Sequence, residues 1–301
     1  MILTIMDGVD EMNKYCIISD SCCDLPPKVA KDLQVDVLPL NVHFGMDTYR
    51  NWLDEREITM KSFYKRIRNG EMPTTSAVSI GDFETCMYNH LNEDSDILCL
   101  CFASALSTTY QSACIAASNL RKKFPQRTIL VLDSLMASGG EGLLVYLCAM
   151  MRQRGESLEC VYQYAEHIRH KICGWFTVED IRSLKRGGRI DPTTTVQGAV
   201  LSVKPIFHFD SEGKIEIVEK RRGRSTSLSA LIDHMERTIV NGEEQDVFIT
   251  YGDCFEDAQA VMNELSQRIR VKSIHTMPVG PVIATHGGPG IVMVFFVGTQ
   301  K

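Results

Sequence analysis

Short, unbroken apolar runs alternate with helix-patterned segments along the first half of the chain, and this alternation constrains the fold more than any other feature. The runs at 15–19 (YCIIS), 36–42 (DVLPLNV), 97–102 (ILCLCF) and 128–133 (TILVLD) are apolar at successive positions rather than at every second one. A strand that is apolar on both faces must be covered on both, the condition of a parallel sheet flanked by helices. The segments between and after them, at 26–33, 61–68, 80–91, 109–123 and 141–154, carry apolar residues at helical spacing. Asp24 is placed to cap the first of these, and Ser79 followed three residues later by Asp82 marks the start of the third. The sequence therefore predicts an α/β domain with a mostly parallel sheet and helices on both faces.

The second half has a different grammar. A short strand at 175–178 leads into a helix at 179–185 that stops at Gly187-Gly188, and runs at 204–209 and 214–220 flank DSEG, a four-residue hairpin connection. A helix at 227–239, a strand at 246–251, a helix at 255–268 and a strand at 272–277 follow, before the Gly/Pro-rich THGGPG and the apolar tail IVMVFFVG. Antiparallel pairing enters here, so the expectation is a second domain with a mixed α/β sheet. At 301 residues the chain is long enough for both. The expected division is an N-terminal extension over 1–13, an α/β domain over 14–170 and a second over 171–301, with the ligand between the domains.

Composition removes several classes of function. The 32 Lys and Arg are outnumbered by 38 Asp and Glu, for a formal net charge of -6, which argues against nucleic acid as a partner. No stretch reaches the roughly 20 apolar residues of a transmembrane helix, and MILTIMDGVDEMNKYC places acids where a signal peptide carries positive charge. A cytoplasmic location is expected. The 11 cysteines contain no CxxC, which points to reduced thiols packed in the core and to no metal site.

Six constellations can carry chemistry. Asp20 and Ser21 directly follow the first strand, where a parallel sheet places its ligands, although both residue types also satisfy turn amides. Thr74, Thr75 and Ser76 offer three hydroxyls beside a turn. Ser107 and Thr108 lie between the ILCLCF run and a helix, where a hydroxyl and the first amides of that helix suit a carboxylate or phosphate; a plain helix cap is the alternative. Arg189 follows the helix-ending glycines, and Lys220-Arg221-Arg222-Gly223-Arg224 is the one dense basic run. His286, in a glycine-rich turn, is the histidine best placed among 8 to meet a ligand, because small neighbours allow close approach. His167 and His170 have no acidic or cysteine partner in register and read as surface residues.

Phosphate-loop, dinucleotide-binding, zinc-protease and nucleophile-elbow motifs are all missing. A carboxylate-binding reading remains, and the motifs ISDS-x-x-DLP, VLPL, TTS, S-x-LS-x-TYQSA, DS-x-x-AS-x-G-x-G, LKRGGRI, KPI and H-x-GPG, in that order, resemble the DegV family. The resemblance runs from about residue 17 to THGGPG. It implies the fatty-acid-binding subunit of a bacterial fatty acid kinase, which has no catalytic residue or cofactor of its own. Such a subunit holds one long-chain fatty acid in an apolar tunnel between its domains and presents the carboxyl to a separate ATP-dependent kinase of dihydroxyacetone-kinase type.

The positions that match the family's carboxyl-binding residues are Thr75, Ser107 and His286. Asp20, Ser21, Ser76, Thr108 and Arg189 would lie near the mouth, and Arg221 and Arg222 would face the kinase or, transiently, a membrane surface. Thr108 stands where the family commonly has glycine, and Ala77 where it commonly has glutamine. A serine hydrolase or acyltransferase with Ser107 as nucleophile, His286 as base and Asp20 as orienter is the competing reading, and a small anionic-metabolite sensor with a short polar pocket is the third. The run ILCLCF and the methionines are candidates to line the tunnel.

Overall fold

A computed structural model describes residues 14–191, 193 and 203–299, so the extension expected over 1–13 lies outside the described residues. The first part of the chain runs β1 (Tyr15–Asp20), α1 (Pro27–Asp32), β2 (Val35–Leu38), β3 (Asn41–Phe44), β4 (Asp47–Arg50), α2 (Met60–Arg68), β5 (Thr74–Ser76), α3 (Ile80–Asn92), β6 (Asp96–Cys101), α4 (Thr109–Lys123), β7 (Ile129–Asp133), α5 (Gly139–Gln153) and α6 (Leu158–Ile168). The second runs β8 (Ile172–Thr177), α7 (Arg182–Arg186), β9 (Val203–Phe209), β10 (Ile215–Arg222), α8 (Arg224–Thr238), β11 (Asp246–Tyr251), α9 (Phe255–Arg268), β12 (Ser273–Pro278), α10 (Pro281–Gly287) and β13 (Val292–Val297).

β2, β1, β6 and β7 form the first sheet in that order, with every pair parallel. All six residues of β1 are buried, as a doubly covered strand requires. The second sheet, in the order β10-β9-β8-β13-β11-β12, is antiparallel except for the β11–β12 pair. The protein is thus a two-domain α/β structure with one parallel and one mixed sheet. The boundary suggested at 170/171 falls in the connection between α6 and β8.

α5 is the shared element, packing on β1 and β6 of the first sheet and on β8, β11 and β13 of the second. Covered from both sides, it has no room for side chains at three positions of its first turn: a Cβ at Gly139 or Gly140 would come within 2.8 Å of the Phe295 ring, and one at Gly142 would strike the Cys23 carbonyl. These contacts account for DS-x-x-AS-x-G-x-G as a packing motif.

Several expectations are corrected. The run 36–42 is two strands in two sheets, because Pro39 has no N–H for a ladder and the chain turns there; β3 joins β4 and β5 in a small antiparallel sheet. Thr74–Ser76 is accordingly a strand, with Thr75 opposite Val42, and not a loop. Asp24 does not cap α1: Pro27 fills a first-turn position and offers no N–H, and Asp24 instead accepts from Ser138 Oγ (2.6 Å) and the Gly280 amide (2.8 Å) of the second domain. α8 begins at Arg224, so the basic run is split between β10 and a helix. THGGPG is not wholly a turn, since Pro281 starts a helix whose last turn carries His286. No helix among the described residues is long and apolar enough to cross a membrane.

Candidate functional site

A cavity of about 520 Å³ lies between the two domains, within the usual range for ligand sites. Its walls come from different kinds of structure. From the first domain come Leu40, β5 with Thr75 and Ser76, and the connection 102–108 that follows β6. This is the carboxyl end of the parallel sheet, where the chain leaves the ladder and its polar groups are free to face a ligand. From the second domain come Phe176, Phe209, Ile215 and Met293, all on one sheet. Phe209 is opposite Ile215 across the β9–β10 pair and Phe176 opposite Met293 across β8–β13. The Phe176 and Phe209 rings are 5.5 Å apart, and Gly174 leaves room for Phe209, which a Cβ there would approach to 2.8 Å.

The polar groups are few. Thr75 Oγ1 is 2.9 Å from His286 Nε2, a hydrogen bond between the two domains. Nδ1 of the same imidazole is buried with no hydrogen-bond partner among the described residues. Burial, reinforced by the nearby Arg189 and Arg186, pushes the imidazole pKa down to about 3, so the ring is neutral at physiological pH. A Cβ at Gly187 would collide with Nδ1. Of the glycine pair after α7, only Gly188 uses a left-handed conformation (φ +67°), whereas Gly187 is glycine because the imidazole lies against it.

Ser107 Oγ accepts from the Thr109 amide (3.2 Å) and is 2.9 Å from Thr109 Oγ1. The hydroxyl therefore does part of a helix cap's work while lining the cavity. Arg189 ties this loop to the histidine: its Nε and Nη2 donate to the Leu106 carbonyl (3.1 and 3.0 Å) and its Nη1 to the Gly187 carbonyl (2.5 Å). Thr108 and Ser76 line the cavity from exposed positions. A smaller cleft of about 140 Å³ adjoins it behind Thr75 and His286 and adds Arg186.

Asp20 and Ser21, expected near the mouth, are not among the lining residues. Both are fully buried, and their side chains are engaged by backbone: Asp20 accepts from the Cys22 and Phe102 amides (3.0 and 2.8 Å), and Ser21 Oγ from the Leu40 amide (3.0 Å). The catalytic trio of the hydrolase reading is therefore not assembled. Ser107 is bonded to Thr109, His286 to Thr75 and Asp20 to amides, with no bond among the three. The cysteines of ILCLCF are wholly buried, and among the described residues only Phe102 of that run and, of the methionines, only Met293 line the cavity. Arg221 is held by Glu219 (3.1 Å) and Asp233 (3.7 Å), whereas Arg222 is exposed.

A family model described as "Uncharacterised protein, DegV family" matches residues 14–299. The chain belongs to the DegV family. A DegV domain-containing protein of Clostridium perfringens is 38% identical over 290 residues, covering 96% of this chain and 99% of the relative. Among solved structures, a DegV family protein of Thermus thermophilus described as fatty acid binding has 30% identity and a TM-score of 0.85, covering 94% of this chain and 99% of its own. DegV of Bacillus subtilis, described as a fatty acid binding protein, has 27% identity and a TM-score of 0.81, covering 95% and 100%.

The apolar lining of this DegV chain is what sequence reasoning missed. Phe176 lies on β8, which is buried on both faces, so no periodicity marks the face that turns to the cavity; β9 does alternate, with Val203, Pro205, Phe207 and Phe209 on one face and Lys204, Ile206 and His208 on the other. The hairpin signal DSEG was the available one; the connection observed is the five residues 210–214, which sets Phe209 and Ile215 opposite each other.

Proposed function

We propose that this DegV-family chain binds one long-chain fatty acid, with the acyl tail on the Phe176–Phe209–Met293 floor and the carboxyl at Thr75, Ser107 and His286. The observation that carries the proposal is a largely apolar cavity whose few polar lining residues include Thr75, Ser107 and His286. A hydroxyl or imidazole turned to an apolar cavity gains about 0.5–1.5 kcal/mol when a ligand oxygen pairs with it. The tail supplies most of the binding energy, at about 0.8 kcal/mol per buried CH₂. Family relatives described as fatty acid binding support the same ligand.

Catalysis belongs to a partner in this reading. A dihydroxyacetone-kinase-like subunit brings ATP, a carboxylate oxygen forms a bond to the γ-phosphorus as the bond to ADP breaks, and an acyl phosphate results. A neutral imidazole and two hydroxyls orient the carboxylate without a tight ion pair and so leave it nucleophilic. Arg222 is available to the kinase or to an anionic membrane surface, and Arg221, braced by Glu219 and Asp233, ties β10 to α8.

The test is organic extraction and mass spectrometry of protein purified without added lipid, followed by phosphorylation with such a kinase and ATP. A stoichiometric fatty acid, and a Ser107→Ala variant impaired in lipid affinity or phosphate acceptance, are expected. A protein that is empty and takes up neither oleate nor palmitate would overturn the ligand. Unchanged affinity and unchanged phosphate acceptance in Ser107→Ala would overturn the residue assignment.

A further inference from the structure

A second cleft, of about 510 Å³, opens at the outer edge of the first domain and shares no lining residue with the cavity between the domains. Its walls are the edge strand β2 and the helix α3. Cys86 and His90 are four residues apart on α3 and so lie on one face of it, one turn from each other. Asp36, on β2, faces them: its Oδ2 is 2.5 Å from His90 Nε2, and one ligand atom from each of Asp36, Cys86 and His90 lies within 4.8 Å of the others. Asp82 and Glu93 add carboxylates to the cleft and Arg50 a guanidinium.

A thiol, an imidazole and a carboxylate are the donor types of tetrahedral zinc sites. Metal–ligand bonds of roughly 2.0–2.3 Å place ligand atoms roughly 3.4 Å apart. Reaching that spacing requires Asp36 to draw back from His90 by about 1 Å, which rotation of an exposed side chain permits. The mixed donor set disfavours magnesium and calcium, which take oxygen ligands.

We propose that Asp36, Cys86 and His90 bind one zinc-class divalent ion whose fourth position opens to the cleft. Coordination releases the thiol proton to solvent and joins the edge strand to α3. That junction lies four residues before Leu40, which lines the lipid cavity. The pair Cys-x₃-His is too common on helices to announce a site, and the third ligand is 50 positions earlier in the chain, so the spacing of residues does not reveal it.

The full chain, stripped with chelator and kept reduced, is titrated with Co²⁺. A near-ultraviolet thiolate-to-cobalt band that saturates at one equivalent and is displaced by Zn²⁺ is expected. Cys86→Ser should abolish it, and His90→Gln and Asp36→Asn should each weaken binding by about tenfold or more. Zn²⁺ should raise the Tm of the native chain and leave that of Cys86→Ser where it is. No band, or a band that survives Cys86→Ser, overturns the proposal, since ten other cysteines are present. If Cys86→Ser fails to fold, Asp36→Asn, at an exposed position, decides: unchanged Co²⁺ affinity overturns the site.

Discussion

The two domains face the same cavity with opposite kinds of surface. The first domain offers hydroxyls from β5 and from the connection that leaves the parallel sheet after β6; the second offers the apolar face of a mixed sheet and adds one imidazole, that of His286 on α10. Strand ends can recognise a polar headgroup but make a poor apolar floor, and a sheet face does the reverse. A ligand with one polar end and a long apolar body needs both, which gives a physical reason for a site built from two domains.

The comparison is broken most forcefully on the floor. Phe209 is 2% exposed and touches Phe176 as well as the cavity, so Phe209→Ala should cost about 3–5 kcal/mol in urea denaturation. A loss below about 1 kcal/mol would mean that the floor is not packed as described. Next comes the junction itself. Gly187→Ala drives a methyl into the His286 ring and should cost about 1–3 kcal/mol, with a larger loss of lipid affinity than of stability. Equal melting and equal affinity would show that the ring is not pinned there.

Acidity separates the two sides further. In lipid-free protein the folded pKa of His286 is about 3, below the ordinary 6.5 of the unfolded chain. As pH falls below 6.5 the unfolded chain takes up a proton that the folded one refuses, so the stability held by His286 is lost progressively down to about pH 3. Asp20 and Asp24 behave oppositely, because desolvation raises their folded pKa values to about 6 and about 7. The folded chain takes up these protons first, so their contribution is present near pH 4 and is lost as pH rises through 6 to 7. Denaturation at pH 4 and pH 7.5 should therefore show His286→Gln gaining on the native chain at pH 4, and Asp24→Asn losing to it there. A pH-independent difference for His286→Gln would refute the neutral imidazole. The smallest effect is expected at the headgroup: Thr75→Val, which removes one hydroxyl at nearly constant volume, should weaken fatty acid binding by about 3- to 10-fold, read by titration with oleate.

Much of the fold was legible because burial on both faces leaves a local signature. The helices at 109–123 and 255–268 and the strand at 246–251 have the bounds that their apolar pattern predicts. The pattern failed where a tertiary contact overrode it. Pro39 splits an apolar run whose next residue hands its amide to Ser21, and Asp24 abandons a helix start for two partners more than 100 residues away. In the site, hydroxyl-rich turns and a histidine among glycines drew attention to Thr75, Ser107 and His286 without showing that Thr75 and His286 touch across the domains. Asp20 and Ser21 carried the same kind of signal and proved to serve the backbone.

The sequence by itself determined the class of the two domains, the positions of most strands and helices, and the supply of neutral polar groups at the first domain's strand ends, because these depend on residues near one another in the chain. Only the tertiary structure decided which of those groups meet, which apolar face turns to the cavity, and that a cysteine and a histidine on α3 lie opposite an aspartate on β2. Each of these is a coincidence of segments distant in the chain brought together by burial, and burial is non-directional: it rewards the removal of apolar area from water and does not record in the local pattern which face will be covered.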